Sequence, residues 1–178
     1  MEVPESLGGL REWLERNGVP HTSWGTDGTK TVRQLYAEIE AGETTLEDDP
    51  PLRRVDVVTL RVRQGGRELV ETSQLMSDGT VRRRNRPPAE KIVRDEDAAA
   101  AALRCVAEEL GVEGPGVVLG RVSRPRDPDR QPSPSYPGLP SAYVFHEAEV
   151  QVPGLPASGF WTRERGDGSV FAHLWEWR

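Results

Sequence analysis

The side chains with the most chemical content lie close together in the stretch DEDAAAAALRCVAEELG, where Arg104, Cys105, Glu108 and Glu109 occupy neighbouring turns of one predicted helix. At 3.6 residues per turn, Leu103, Val106 and Leu110 fall on one face and Cys105, Glu108 and Glu109 roughly opposite. On this reading the leucine side meets the core, and the two carboxylates project outward from a rigid scaffold. Neighbouring carboxylates repel one another, a cost that a hard divalent cation such as magnesium relieves. The cation could then bridge a diphosphate and polarise it for attack by water. The same residues also fit an ordinary solvated helix face, because charged runs usually face water.

A basic run precedes that helix: Arg82, Arg83, Arg84 and Arg86, followed by Lys91 and Arg94. Alternation along a strand puts Arg82 and Arg84 on one face and Arg83 on the other. The planar donors of Arg82, Arg84 and Arg86 suit phosphate oxygens, and an exposed charged strand is the plainer alternative. Tyr136 lies in the proline-rich stretch SRPRDPDRQPSPSYPGLP, which reads as a long surface loop, and is a candidate substrate contact by location alone. Cys105 could serve as a nucleophile with His146 or His173 as base, although two adjacent glutamates would raise its pKa and a packed thiol accounts for it equally. The segment Trp24 to Thr31 lacks the spacing of a phosphate-binding loop and reads as a turn followed by a helix cap.

The elements that must position these residues follow from periodicity. Leu10, Trp13 and Leu14 mark one N-terminal helix. Val32, Leu35, Tyr36 and Ile39 mark a second, opened by a capping box at Thr31 to Gln34 and stopped near Gly42. The LEDDPP stretch separates this pair from an alternating region. Val55, Val57, Leu60 and Val62 form a strand, Gly65-Gly66 a hairpin turn, RELVETSQLM the return strand, Asp78-Gly79 a turn, and TVRRRN a third strand. After Pro87-Pro88 comes the acidic helix, with Asp95 as its predicted N-cap and Gly111 as its stop. Further strands are predicted at Val117 to Val122, in SAYVFHEAEVQV, and in a closing hairpin around Asp167-Gly168 that places Trp175 and Trp177 on one packed face.

The acidic helix resembles the core of a Nudix box. Glu96 lies eight positions before Arg104, and Val106, Glu108, Glu109, Gly111 and Val112 follow in the register of that family's Arg-Glu-aliphatic-any-Glu-Glu-any-Gly-aliphatic pattern. Two positions depart from it. Glu90 stands where the box has its first glycine, and Cys105 where it has a metal-binding glutamate. A thiol is a poor magnesium ligand. The resemblance implies an α+β fold, a Nudix-like α/β/α sandwich with a mixed β-sheet over residues 52–178. It would be preceded by a helical pair in residues 1–45 that packs on the core. It further implies Mg2+ or Mn2+ held by Glu108 and Glu109 with a carboxylate from later in the chain, for which Glu147, Glu149 and Glu164 are candidates. Arg104 and Glu96 would be structural. The implied reaction is hydrolysis of a nucleoside diphosphate-linked or related organic pyrophosphate. Cys105 leaves open a repurposed module that binds a nucleotide or small ligand, or one that performs metal-independent biosynthetic chemistry.

Composition bounds the rest. The 178 residues carry 29 acidic and 23 basic side chains, a net charge of -6, which disfavours nonspecific nucleic-acid binding. The single cysteine excludes an internal disulfide framework and a thiolate zinc cluster. No apolar run approaches the roughly 20 residues of a membrane helix, and the N-terminus lacks a secretory pattern. These features predict a cytoplasmic protein acting on a small phosphorylated molecule away from membranes, and leave a homodimer open.

Overall fold

The computed structural model describes residues 4–123, 128–165 and 169–178. The chain forms helices α1 (Leu7–Arg16), α2 (Val32–Glu40) and α3 (Ala98–Glu109). Its strands are β1 (Thr45–Asp48), β2 (Pro51–Gln64), β3 (Arg67–Met76), β4 (Val81–Arg86), β5 (Ala89–Lys91), β6 (Val118–Val122), β7 (Asp129–Gln131), β8 (Ser141–Gln151), β9 (Phe160–Arg163) and β10 (Val170–Trp177). The fold is α+β, with a helical pair ahead of the strands. Two compact units share it. The first comprises Met1–Val57, Lys91–Glu96 and Pro125–Phe145, and the second Val58–Glu90, Asp97–Arg124 and His146–Arg178. Among the described residues no helix is long and apolar enough to cross a membrane.

In the first unit, α1 starts at Ser6, whose side chain accepts from the Gly9 amide, and α2 starts with the reciprocal Thr31–Gln34 capping box that the sequence predicts. The apolar stripes of both helices are buried: Leu10, Trp13 and Leu14 from one, Leu35 and Ile39 from the other. They share a core with Leu46, Tyr136 and Leu139. The LEDDPP stretch is not a mere separator, because Thr45–Asp48 pairs antiparallel with the start of β2. The proline-rich segment is not wholly a surface loop either. It contains β7 and carries Tyr136 into the core, where that residue is 0% exposed. This unit therefore draws on three stretches of the chain rather than on the N-terminal helices alone.

In the second unit the later parts of β2 and β8 join the other strands in the order β6–β8–β2–β3–β10–β9, with β4 added on β3. The β2–β3 turn uses Gly65 and Gly66, both at positive φ, a conformation that glycine adopts without a Cβ clash. Here β3 coincides with RELVETSQLM. Strands β9 and β10 pair antiparallel as the closing hairpin requires, while its predicted turn at Asp167-Gly168 lies outside the described residues. Trp175 and Trp177 are both buried, and their indole N–H groups donate to the Thr162 hydroxyl and the Pro156 carbonyl.

Helix α3 differs from expectation in its cap and in its rotation. Its N-cap is Asp97, which accepts from the Ala100 amide at 2.7 Å, not Asp95. Of the residues expected to face inward, Val106 and Leu110 are buried but Leu103 is 44% exposed, and Ala101, Ala102 and Cys105 are buried as well. The helix is turned by roughly a quarter turn from the leucine-inward orientation, given about 100° per residue. Small alanines fill the inward face. Glu109, which projects between Cys105 and Val106, is consequently carried inward while Glu108 stays exposed.

Candidate functional site

The functional side chains of the second unit converge because three strands and one helix aim them at one place. His173 on β10 lies opposite Gln74 of β3 on one side and Thr162 of β9 on the other. Directly opposed residues point to the same face, and so do residues two apart. Glu71 stands opposite Trp175, two residues beyond His173, and Glu164 follows Thr162 by two, so both join the His173 face. Glu71 and Gln74 are three apart and would ordinarily diverge. The register of β3 shifts between Glu71 and Ser73 against both β4 and β10, and this bulge at Thr72 returns Glu71 to the shared face. From the helix side Glu109 completes the group.

His173 is nearly fully buried. Its Nδ1 lies 2.6 Å from Glu71 Oε1, and its Nε2 lies 3.1 Å from Glu164 Oε2 and 3.7 Å from Glu109 Oε2. Glu71 is also buried. It accepts from the Gln74 amide at 2.6 Å and from Arg84 Nε at 3.1 Å. Arg82 bonds the Gln74 side-chain oxygen in turn. Arg82 and Arg84 thus do share a face, and that face is the support of the Glu71 carboxylate. Arg86, opposite Glu71 in the register, is exposed.

The electrostatics follow from this packing. Burial raises the Glu109 carboxyl above the usual range. The His173 charge opposes that rise, and Glu164, Glu90 and Glu71 add to it. Burial alone would lower the His173 pKa, but the Glu71 hydrogen bond, the charge of Glu109 and the Glu164 hydrogen bond outweigh it and hold the imidazole above its ordinary value. For Cys105, burial pushes the thiol up, reinforced by Glu109 and Glu90 against the opposing Arg104.

The residues singled out in the sequence are therefore dispersed. Glu109 lies in the cluster. Glu108 lies on the exposed side, where Arg104 Nη1 donates to it at 3.2 Å and approaches Glu90 at 3.8 Å. Glu109 therefore joins the cluster with Glu164 and His173, while Glu108 pairs with Arg104. Cys105 is 0% exposed and its thiol is held protonated, so the thiolate nucleophile considered above has no support. Among the later carboxylates, Glu147 is exposed and bonds Arg61, Glu149 is exposed, and Glu164 joins the cluster. Tyr136 belongs to the first unit, where its hydroxyl donates to Glu38 at 3.0 Å and its ring lies 5.1 Å from the Arg53 guanidinium carbon. A side chain buried in that way is a core member and not a surface contact for substrate. Glu96, also in the first unit, accepts from the Val93 amide.

Sequence reasoning missed Glu71 and gave His173 only a subordinate role. The signal available was weak: Glu71 is one of two glutamates in RELVETSQLM, and only its place in the middle of the strand, flanked by Val70 and Thr72, sets it apart. Together Glu109, Glu164 and His173 offer three donor atoms within 4.8 Å of one another. Two carboxylates and an imidazole fit a divalent cation, with the mixed oxygen and nitrogen donors of a transition ion.

No protein-family model matches the chain, and no curated protein matches it. Solved structures do. The chain is similar to a NUDIX hydrolase from Nitrosomonas europaea, at 19% identity and TM-score 0.39 over 69% of this chain and 72% of that one. It is similar to the Ap4A hydrolase of C. elegans at 16% identity and TM-score 0.36, covering 70% and 77%. It is also similar to the E. coli ORF135 protein at 16% identity and TM-score 0.37, covering 70% and 72%. Nudix hydrolases are thus among its structural neighbours. The similarity is distant.

Proposed function

We propose that the protein hydrolyses a nucleoside diphosphate-linked or related organic pyrophosphate with the help of a divalent cation. The observation that carries this reading is the meeting of Glu109, from the Nudix-box-like helix, with Glu164 and His173 across the sheet surface. Glu109, Glu164 and His173 would hold the cation, which when bound supplies Lewis-acid polarisation of a phosphoryl oxygen. Glu71, fixed by Arg84 and Gln74, orients the imidazole. Arg82 and Arg84 stiffen that support, so phosphate recognition by the arginine strand falls to Arg83 and Arg86, which are exposed. The test is a screen of nucleoside diphosphate-linked compounds and other organic pyrophosphates with Mg2+ and with Mn2+, comparing the parent chain with Glu109→Gln. Turnover lost in the variant supports the reading, and turnover equal in both sinks it.

A second reading has its own observation. Cys105 stands where the Nudix pattern has a metal-binding glutamate, and it is fully buried. That substitution favours a module that binds a nucleotide or small ligand without cleaving it, or one that performs metal-independent acid/base chemistry in the same place. Ligand-induced thermal shifts without turnover favour binding alone.

A further inference from the structure

We infer that the outer face of the four strands β4, β3, β10 and β9 receives single-stranded nucleic acid, with unpaired bases stacked on Trp161 and Phe171 and phosphates held by Arg83 and Arg163. The inference is independent of the hydrolase reading, because this face is turned away from His173. Strand register defines it. One row across the four strands is Arg82, Gln74, His173 and Thr162, which belongs to the candidate site. The rows on either side of it point the opposite way. One runs Arg83, Ser73, Leu174 and Trp161, and the other Val81, Leu75, Ala172 and Arg163. The irregularity of β10 between Val170 and Ala172 adds Phe171 beside Arg163. The Arg163 guanidinium carbon lies 4.9 Å from the centre of the Phe171 ring, a contact that holds the cation on the surface.

Three observations point to this ligand. First, large apolar side chains stand in water here: Trp161 is 53% exposed, Phe171 44% and Val81 61%. Aromatic rings on a sheet surface stack unpaired bases, and every base offers a flat face to them. Second, the second unit covers this sheet on one side only. Among the described residues α3 is its sole helix, and the approach of Glu109 to His173 places α3 on the other side. Third, the charge is complementary. Arg83 and Arg163 make no ion pair among the described residues. The carboxylates of the same face are engaged by arginines, Glu68 by Arg61 and Arg63, and Glu176 by Arg178. The net charge of -6 acts against binding over the whole surface, and cations gathered on one face make a local exception. Of the exposed arginines of β4, Arg83 lies on this face, so the phosphate it meets belongs to a ligand that extends over it.

The experiment is fluorescence anisotropy of a labelled oligothymidylate of about twelve nucleotides, titrated with the full chain at several salt concentrations and without divalent cation. The strand should bind at low salt. Its affinity should fall with a log-log salt slope of about -1.4, as expected when two phosphates of a single strand are neutralised. Trp161→Ala and Phe171→Ala should each weaken binding by about 10-fold, whereas Trp161→Tyr, which keeps a ring, should stay within about 3-fold. Arg163→Gln should weaken binding and reduce the slope by about 0.7. Glu109→Gln should bind the strand as the parent does, since its side chain lies on the opposite face. Circular dichroism and the unfolding midpoint accompany each variant, and Arg163→Gln gives the answer if an aromatic variant unfolds. Absence of binding at low salt, or binding that survives Trp161→Ala and Phe171→Ala, overturns the inference. Equal competition by duplex DNA overturns it too, because a duplex hides its base faces. Equal competition by polyglutamate would assign the face to an acidic protein instead. A dimer that Trp161→Ala dissociates, without strand binding, would assign it to a second copy of the chain.

Discussion

The Nδ1 of His173 and the Oε1 of Glu71 lie 2.6 Å apart in the interior of the second unit, joining β10 to β3 beside the bulge at Thr72. Around this contact Gln74 and Arg84 satisfy the rest of the glutamate, and Glu109 and Glu164 face the other side of the ring. Burial makes each of these bonds consequential, since removing one partner leaves the others without theirs in a poorly solvated place.

Glu71→Ala should therefore destabilise the protein by about 3 kcal/mol, the scale for breaking a buried charged pair. Urea unfolding at neutral pH checks this through the midpoint. A loss below about 0.5 kcal/mol, the ordinary range for a surface substitution, would show that the pair is not buried as described.

Glu108 and Glu109 should separate in function although they are adjacent in sequence. Glu109→Gln should lower pyrophosphate turnover by about 100-fold or more, in line with the loss of a group acting at the reacting centre. Glu108→Gln should leave turnover unchanged and cost only about 0.5 kcal/mol of stability, as expected of a surface ion pair one turn from Arg104. Steady-state rates of the two variants on one substrate are the measurement, and equal losses would contradict the rotation of α3.

Cys105 should be inert in the native state. A chromogenic disulfide reagent at pH 8 should titrate no thiol until denaturant is added, because burial and the nearby carboxylates of Glu109 and Glu90 disfavour the thiolate. Rapid labelling of folded protein would overturn its assignment to the core.

The first unit has a pH dependence of its own. Burial alone would raise the Glu38 pKa, but the charges of Arg53 and Lys91, with hydrogen bonds from Lys30 and Arg53, outweigh it and lower it from 4.5 to about 2. A carboxyl depressed on folding stabilises the fold above its unfolded pKa, and that stabilisation is lost as the pH falls from 4.5 toward 2. The difference corresponds to about 3 kcal/mol. Stability measured between pH 6 and 2 should fall more steeply for the parent chain than for Glu38→Gln, and superimposed profiles would refute the pairing. Tyr136→Phe, which removes a buried hydroxyl from Glu38, should cost about 1 kcal/mol without altering turnover.

The sequence by itself determined the local elements. Alternating apolar residues marked β2, Gly65-Gly66 its turn into β3, the Thr31–Gln34 box the start of α2, and the register from Glu96 to Val112 marked α3 as the helix that carries the chemistry. These features depend on neighbours within a few residues, so they are legible in one dimension. The rotation of α3 was decided by tertiary packing. Its projection has one broad apolar arc, from the alanines and Cys105 through Val106 to Leu110 and Leu103, and only tertiary packing decides that Leu103 is left outside. The bulge at Thr72 is likewise invisible in sequence, because it consists of a mismatch between strands rather than a residue type. Those two decisions carry Glu109 inward, turn Glu108 away, and bring residues 71, 109, 164 and 173 to one point. Local periodicity fixes angles within an element, and only long-range packing fixes which angle faces the site.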